Sequence, residues 1–196
     1  MSPRGLKGSL LVTGIALSGL TLVSWSQTWF VVTLGSAASA QHVLEVRGDV
    51  AAPALAAFCL AGLALIGALA IAGLLLRVVL GVLESLIGLC VVFSGAVAVL
   101  DPLAASAPLV TKATGVSGGD SISGLVTALS QSAWPWAAIV LGLLTAVLGV
   151  VITVTARRWP PASRRYQPAR FEPDGVANTP VSDWDSLSGG SDPTSG

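Results

Sequence analysis

The chain has 196 residues, 53% hydrophobic and only 10% charged, with a formal net charge of zero and a mean hydropathy of +0.81. A soluble domain carries about 25% charged residues, so this composition excludes an ordinary water-soluble globule and indicates an integral membrane protein. The two cysteines, Cys59 and Cys90, lie in apolar runs without metal spacing, and the single histidine, His42, has no second ligand type nearby, so neither a disulfide framework, a metal nor a cofactor is expected.

Met1 to Lys7 is short and basic, and Gly8 to Val23 is apolar apart from Ser and Thr. A signal peptide is the alternative reading, with Ala38-Ser39-Ala40 resembling a cleavage site. That site lies well beyond the apolar run, with Trp25, Trp29 and Phe30 between, and the rest of the chain is also apolar. A retained first helix over about 6–24 is the expectation. Two β-favouring runs follow, Trp29 to Leu34 and His42 to Arg47, separated by small and polar residues. They predict a small β-hairpin outside the bilayer.

Ala51 to Leu100 is a long apolar run holding only two charges, Arg77 and Glu84. One helix needs about 20 apolar residues to cross a bilayer, so the run accommodates a pair of crossings, over about 53–75 and 79–100, with Arg77 at the bend. Pro53 suits a first helical turn. Asp101-Pro102 ends the second crossing, because proline disfavours helical geometry before it and Asp101 cannot cheaply enter hydrocarbon. Leu103 to Ala133 reads as a second loop. Within it, Ile122, Leu125, Val126 and Leu129 have the spacing of a short interfacial helix over 121–132. A fourth crossing spans about 134–156. From Arg157 onward, arginines, then acids, six prolines and many Gly and Ser residues predict a disordered tail over 157–196.

These elements predict an all-α membrane fold. Residues 1–156 form a left-handed four-helix transmembrane bundle, followed by the tail. With an even number of crossings, both termini share one side. That side carries eight of the ten basic residues, Arg47 and Lys112 being the others. Basic residues prefer the cytoplasmic side, so both termini are placed in the cytoplasm, with Arg77, Arg157 and Arg158 as topology anchors. Trp25, Trp29, Trp134, Trp136 and Trp159 fall near helix ends, where indole rings form an interfacial belt.

Three features could carry function. Gly81, Gly88 and Gly95 recur every seven residues, and Gly142 and Gly149 repeat that spacing. Such stripes mark helix faces that approach closely, within the bundle or in a homo-oligomer. Glu84 borders the first stripe. It either reaches the nearby interface to pair with Arg77, Arg157 or Arg158, which is the favoured reading, or binds protons or substrate, or contacts a partner membrane protein. In the tail, five arginines either serve only as a positive-inside anchor, which is the favoured reading, or attract anionic lipid. Asp183, Trp184, Asp185 and Leu187 have the form of a docking segment, in which Trp and Leu fill pockets and the acids select a basic cytoplasmic partner, and a solubilising tail with an incidental Trp is the alternative. No catalytic set stands out, and the basic cluster hugs the membrane, so neither an enzyme nor a nucleic-acid binder is expected.

The Ser26-Gln27-Thr28-Trp29 segment after the first helix, the Arg77 turn before Glu84, and Asp183-Trp184-Asp185-Ser186-Leu187-Ser188-Gly189-Gly190-Ser191-Asp192-Pro193-Thr194 together resemble the tryptophan-associated transmembrane proteins of actinobacteria. The resemblance covers nearly the full chain. It implies a plasma-membrane location and a loose link to tryptophan metabolism, through genes lying in the tryptophan biosynthesis region. It supplies no catalytic residues. In architecture alone the layout is also similar to claudin-like four-helix proteins, but the cysteine pair of the claudin loop is missing. The leading expectation is a non-enzymatic accessory or scaffold protein. The alternative is a small proton-coupled transporter for tryptophan or another aromatic compound, using Glu84.

Overall fold

The computed structural model describes residues 3–35 and 42–159. Among the described residues, four helices are long and apolar enough to cross a membrane: α1 (Pro3–Ser26), α3 (Ala54–Ile71), α4 (Leu74–Leu100) and α7 (Trp134–Thr155). Between α1 and α3 lie strands β1 (Thr28–Leu34) and β2 (Val43–Arg47) and the one-turn helix α2 (Gly48–Ala51). Between α4 and α7 lie helix α5 (Pro102–Thr114), helix α6 (Gly119–Leu125) and strand β3 (Val126–Gln131). A 3-10 turn, Ala156–Arg158, follows α7. The interval 157–196 expected as a disordered tail, with its docking segment Asp183, Trp184, Asp185 and Leu187, lies outside the described residues beyond Trp159.

The helices pack in a ring, α1 against α3, α3 against α4, α4 against α7 and α7 against α1, with α4 and α7 in the most extensive contact. Their outward faces are as apolar as their inward ones. Leu75, Phe93 and Val154 are largely exposed, as suits side chains facing lipid. The connection between α3 and α4 is only Ala72-Gly73, both extended. The bend therefore falls earlier than expected. Arg77 is not at it but inside the start of α4, where it is buried. Nothing but Gly73 marks this break in an otherwise continuous apolar run.

The expected hairpin is present, and it is part of a larger sheet with strand order β2-β1-β3. Phe30 pairs with Val46 and Val32 with Leu44 on one side. On the other side they pair with Gln131 and Leu129. Both pairings are antiparallel. The alternation of Phe30, Val32 and Leu34 inward is the period of a strand with one buried face. The expected helix over 121–132 is thus corrected. Its first part is α6, but Val126 to Gln131 leaves the helix to satisfy the free edge of β1, a demand the local spacing does not reveal.

Helix α5 replaces what read as loop. The Asp101-Pro102 pair that ends α4 also starts α5: the Ala104 N–H donates to Asp101 Oδ1 at 2.9 Å, and Pro102 occupies a first-turn position where its missing N–H costs nothing. The helix stops at Gly115, whose φ of 72° is the left-handed conformation that closes helices. Two apolar cores result. One lies at the sheet end, around Trp29, Phe30, Val46, Leu55 and Val110. The other lies at the opposite end, around Leu17, Ile66, Leu69, Ile152 and Trp159.

Candidate functional site

Between the two cores runs a layer of small and polar side chains, with Glu84 in it. The inward face of α1 is Gly14, Leu17, Ser18, Thr21 and Ser24, at the three- and four-residue steps of one helix face. Helix α3 contributes Gly62, the ninth of its 18 residues and so at its middle. Helix α7 contributes Gly142 and Thr145. The hydroxyl of Thr21 donates to Leu17 O at 2.8 Å, and that of Thr145 to Leu141 O at 2.9 Å. Each satisfies its proton within its own helix. The interior therefore holds more polar groups than Glu84, and Ser18, Thr21 and Thr145 were missed. The missed signal was a short-range one: Ser18, Thr21 and Ser24 recur at helical spacing in α1.

Glu84 is fully buried, and neither carboxylate oxygen has a hydrogen-bond partner among the described residues. Among the described residues the expected pairing with Arg77 or Arg157 does not occur, and the side chain of Arg158, the third expected partner, lies outside the described part. The carboxylate instead lies against Gly62. A Cβ placed on Gly62 would be 3.4 Å from Glu84 Oε1 and 3.3 Å from Ser18 Oγ. Glu84 sits on the enclosed face of α4 that also holds Arg77, Leu80, Gly88 and Val91, but the Arg77 guanidinium is taken up by Trp159.

The glycines define the α4–α7 seam. A Cβ at Gly88 would run into the backbone of Ala146 and Gly142, and one at Gly81 would meet Thr153 and Gly149. One at Gly95 would meet Ile139 at 2.8 Å. From the other side, a Cβ at Gly142 would lie 2.9 Å from Val92 N, and one at Gly149 would collide with Ser85. Backbones this close admit side-chain hydrogen bonds across the seam. Ser85 Oγ reaches Gly81 O at 3.2 Å and Ala146 O on α7 at 3.1 Å.

At the end of the bundle away from the sheet, the guanidinium of Arg77 stands 5.4 Å over the Trp159 ring. Its Nη1 donates to Trp159 O at 3.4 Å. Lys7 Nζ donates to Ala70 O at 2.6 Å, at the end of α3. Arg157 is exposed, and the side chain of Arg158 lies outside the described part.

At the sheet end, Trp29 is fully buried. Its Nε1 donates to Ser24 O at 2.8 Å. Ser24 Oγ donates to Trp134 O at 2.8 Å, and Ser132 Oγ to Thr28 O at 2.8 Å. The belt reading is corrected accordingly. Trp134 and Trp136 are exposed near the start of α7, as interfacial residues are. Trp29 and Trp159 are core residues, and Trp25 is partly covered by the sheet-end core.

Two grooves, each of about 250 Å³, lie away from Glu84. One is apolar, between Val82, Leu86, Val150 and Val154. The other is at the sheet end, bordered by Asp101, Ala104 and Asp120. No curated protein and no solved structure matches this chain. The sequence profile described as tryptophan-associated transmembrane protein matches residues 11–194. With apolar spanning helices and a match over most of its length, the chain belongs to the tryptophan-associated transmembrane protein family, and it is a multi-pass membrane protein.

Proposed function

We propose that the protein is a non-enzymatic accessory protein of the plasma membrane, which presents its three-stranded sheet on the outer face and docks a cytoplasmic partner through Asp183, Trp184, Asp185 and Leu187. The observation that carries this reading is the bonding between sheet and bundle. Ser24, Trp29, Thr28, Ser132 and Trp134 link the outer ends of α1 and α7 to β1. Helices α4 and α7 meanwhile interlock through glycines. Such an assembly suits a rigid platform. Alternating access instead needs two parts that rock against each other.

The orientation rests on charge. Arg4, Lys7, Arg77, Arg157 and Arg158 belong to the ends of the spans opposite the sheet, and Arg47 and Lys112 to the sheet end. The bias supports a cytoplasmic position for the termini, with the tail arginines beside anionic lipid.

A second reading, transport of tryptophan or a related aromatic compound, is favoured by one observation: an unpartnered carboxylate in the middle of the bundle, beside hydroxyl-bearing helices. Uptake of labelled tryptophan by vesicles containing the full chain separates the two. The accessory reading expects no uptake above protein-free vesicles. Uptake that disappears in Glu84→Gln replaces it with the transport reading.

A further inference from the structure

We propose that the protein dimerises by pairing the free edge of β3 with the same edge of a second copy. In the strand order β2-β1-β3, each outer strand leaves one edge without a strand partner among the described residues. Such an edge offers main-chain donors and acceptors to another strand, unless charges, proline or a covering element blocks it. The β2 edge is guarded. Glu45 and Arg47 are exposed on that strand, and α2 and α5 pack against it. The β3 edge is not. Val126 to Gln131 holds no charge and no proline, and Thr127, Ala128, Ser130 and Gln131 are exposed. Among the described residues, β3 packs chiefly against β1 and the preceding α6.

The ladder to β1 shows which groups face outward. The Ser132 N–H donates to Trp29 O at 2.9 Å, and the register then runs Phe30 with Gln131, Val31 with Ser130, Val32 with Leu129 and Thr33 with Ala128. Bonded and non-bonded pairs alternate along an antiparallel ladder. Ser130 and Ala128 therefore bond to β1, and Leu129 and Gln131 turn their N–H and C=O groups away from it. The register shifts beyond Thr33, so 128–131 is the regular part of the edge. Setting Ser130 opposite Ser130 of the second copy puts Leu129 of each copy opposite Gln131 of the other. Both outward-facing residues are then bonded. The neighbouring twofold registers would use Thr127, at the irregular end, or Ala133, beyond the strand.

A second copy fits this edge for three reasons. The strand is uncharged, so no like charges meet when it pairs with itself, and no charge selects a different partner. The two Ser130 hydroxyls face each other and can bond. The geometry also suits a membrane. Phe30 and Val32, on the inward face of the sheet, share one core with Leu55, Ala98 and Ala138, at the near ends of α3, α4 and α7. The sheet thus lies across the end of the bundle, and an axis perpendicular to it runs along the helices. Two copies inserted the same way in one membrane are related by a twofold in that direction. The glycine stripes are taken up between α4 and α7 of one chain, so association falls to another surface. The pairing does not rest on the accessory reading, and it holds with the sheet on either side of the membrane.

The test uses the full chain in cell membranes, with Cys90→Ala removing the exposed thiol; Cys59 is buried. Ser130→Cys oxidised with copper phenanthroline is expected to give a disulfide-linked dimer, because side chains come closest in non-bonded antiparallel pairs. Val43→Cys, exposed on β2, is the control and is expected to give none. Adding Gln131→Pro, which removes an outward N–H, is expected to abolish the Ser130→Cys dimer while thermal unfolding stays cooperative. Charge gives a second readout that leaves the backbone untouched. Differently tagged copies are expected to co-purify, Ser130→Lys to separate them, and Ser130→Lys mixed with Ser130→Asp to restore the pair. A Ser130→Cys dimer no stronger than the Val43→Cys control overturns the proposal. So does a cross-link whose mass belongs to another protein, a dimer that survives Gln131→Pro, or Ser130→Lys copies that still co-purify.

Discussion

Trp29 and Trp136 carry the same side chain and opposite burdens. Trp29 is fully buried, bonds Ser24 O, and packs edge-on against Phe30 with ring centroids 6.5 Å apart. Trp136 is 55% exposed. Trp29→Ala is expected to destabilise the protein by about 3–5 kcal/mol, the range for truncating a buried aromatic. Trp136→Ala is expected to change stability by less than about 0.5 kcal/mol, as at other exposed positions. Thermal unfolding in one detergent compares them, and equal losses would contradict the assignment of Trp29 to the core. Sequence placed both residues at helix ends, which is where an interfacial belt also lies. Only the packing of β1 over the end of α1 separates the two roles. Glu84 teaches the same point. Its sequence position showed that it borders a glycine face, but its neighbours Ser18 and Gly62 are distant in the chain and come together only through the bundle.

At the scale of the element, the α4–α7 seam depends on backbones approaching without side chains between them. Gly88→Ala puts a methyl into the backbone of Ala146, which cannot move aside as a side-chain tip can. The expected cost is about 1–3 kcal/mol, as for overpacking a filled core. Gly67 lies on α3 with open space where a Cβ would go. Gly67→Ala should be neutral or stabilising by up to about 1 kcal/mol, since alanine loses less conformational freedom in a helix. Unfolding midpoints of the two variants measure the contrast, and a tolerant Gly88 would refute the seam. This face was legible in the sequence because a helix exposed to lipid is apolar all round, leaving small residues as the main sign of its packed side. The break at Ala72-Gly73 was not legible, because apolar residues lie on both sides of it. Helix α5 had left its mark in Asp101-Pro102, a cap and first-turn pair that also serves as a stop.

For the whole molecule, the orientation yields a direct test. A short epitope inserted between Gly115 and Gly118, in the turn after α5, should be reached by an impermeant reagent added outside intact cells. The same epitope after Gly196 should be reached only once the membrane is opened. The reverse pattern would invert the molecule and move the sheet to the cytoplasm.

Hydropathy is a local property, so the chain by itself determined the four spanning helices, the first hairpin and the glycine seam. Each is written in consecutive or helically spaced residues. The third strand, the burial of Trp29 and the isolation of Glu84 were decided by tertiary structure. Strand pairing and charge burial depend on groups brought together from distant parts of the chain. Val126 to Gln131 becomes a strand because β1 has an edge to satisfy, and Glu84 has no hydrogen-bond partner among the described residues on a face of α4 that the other helices enclose.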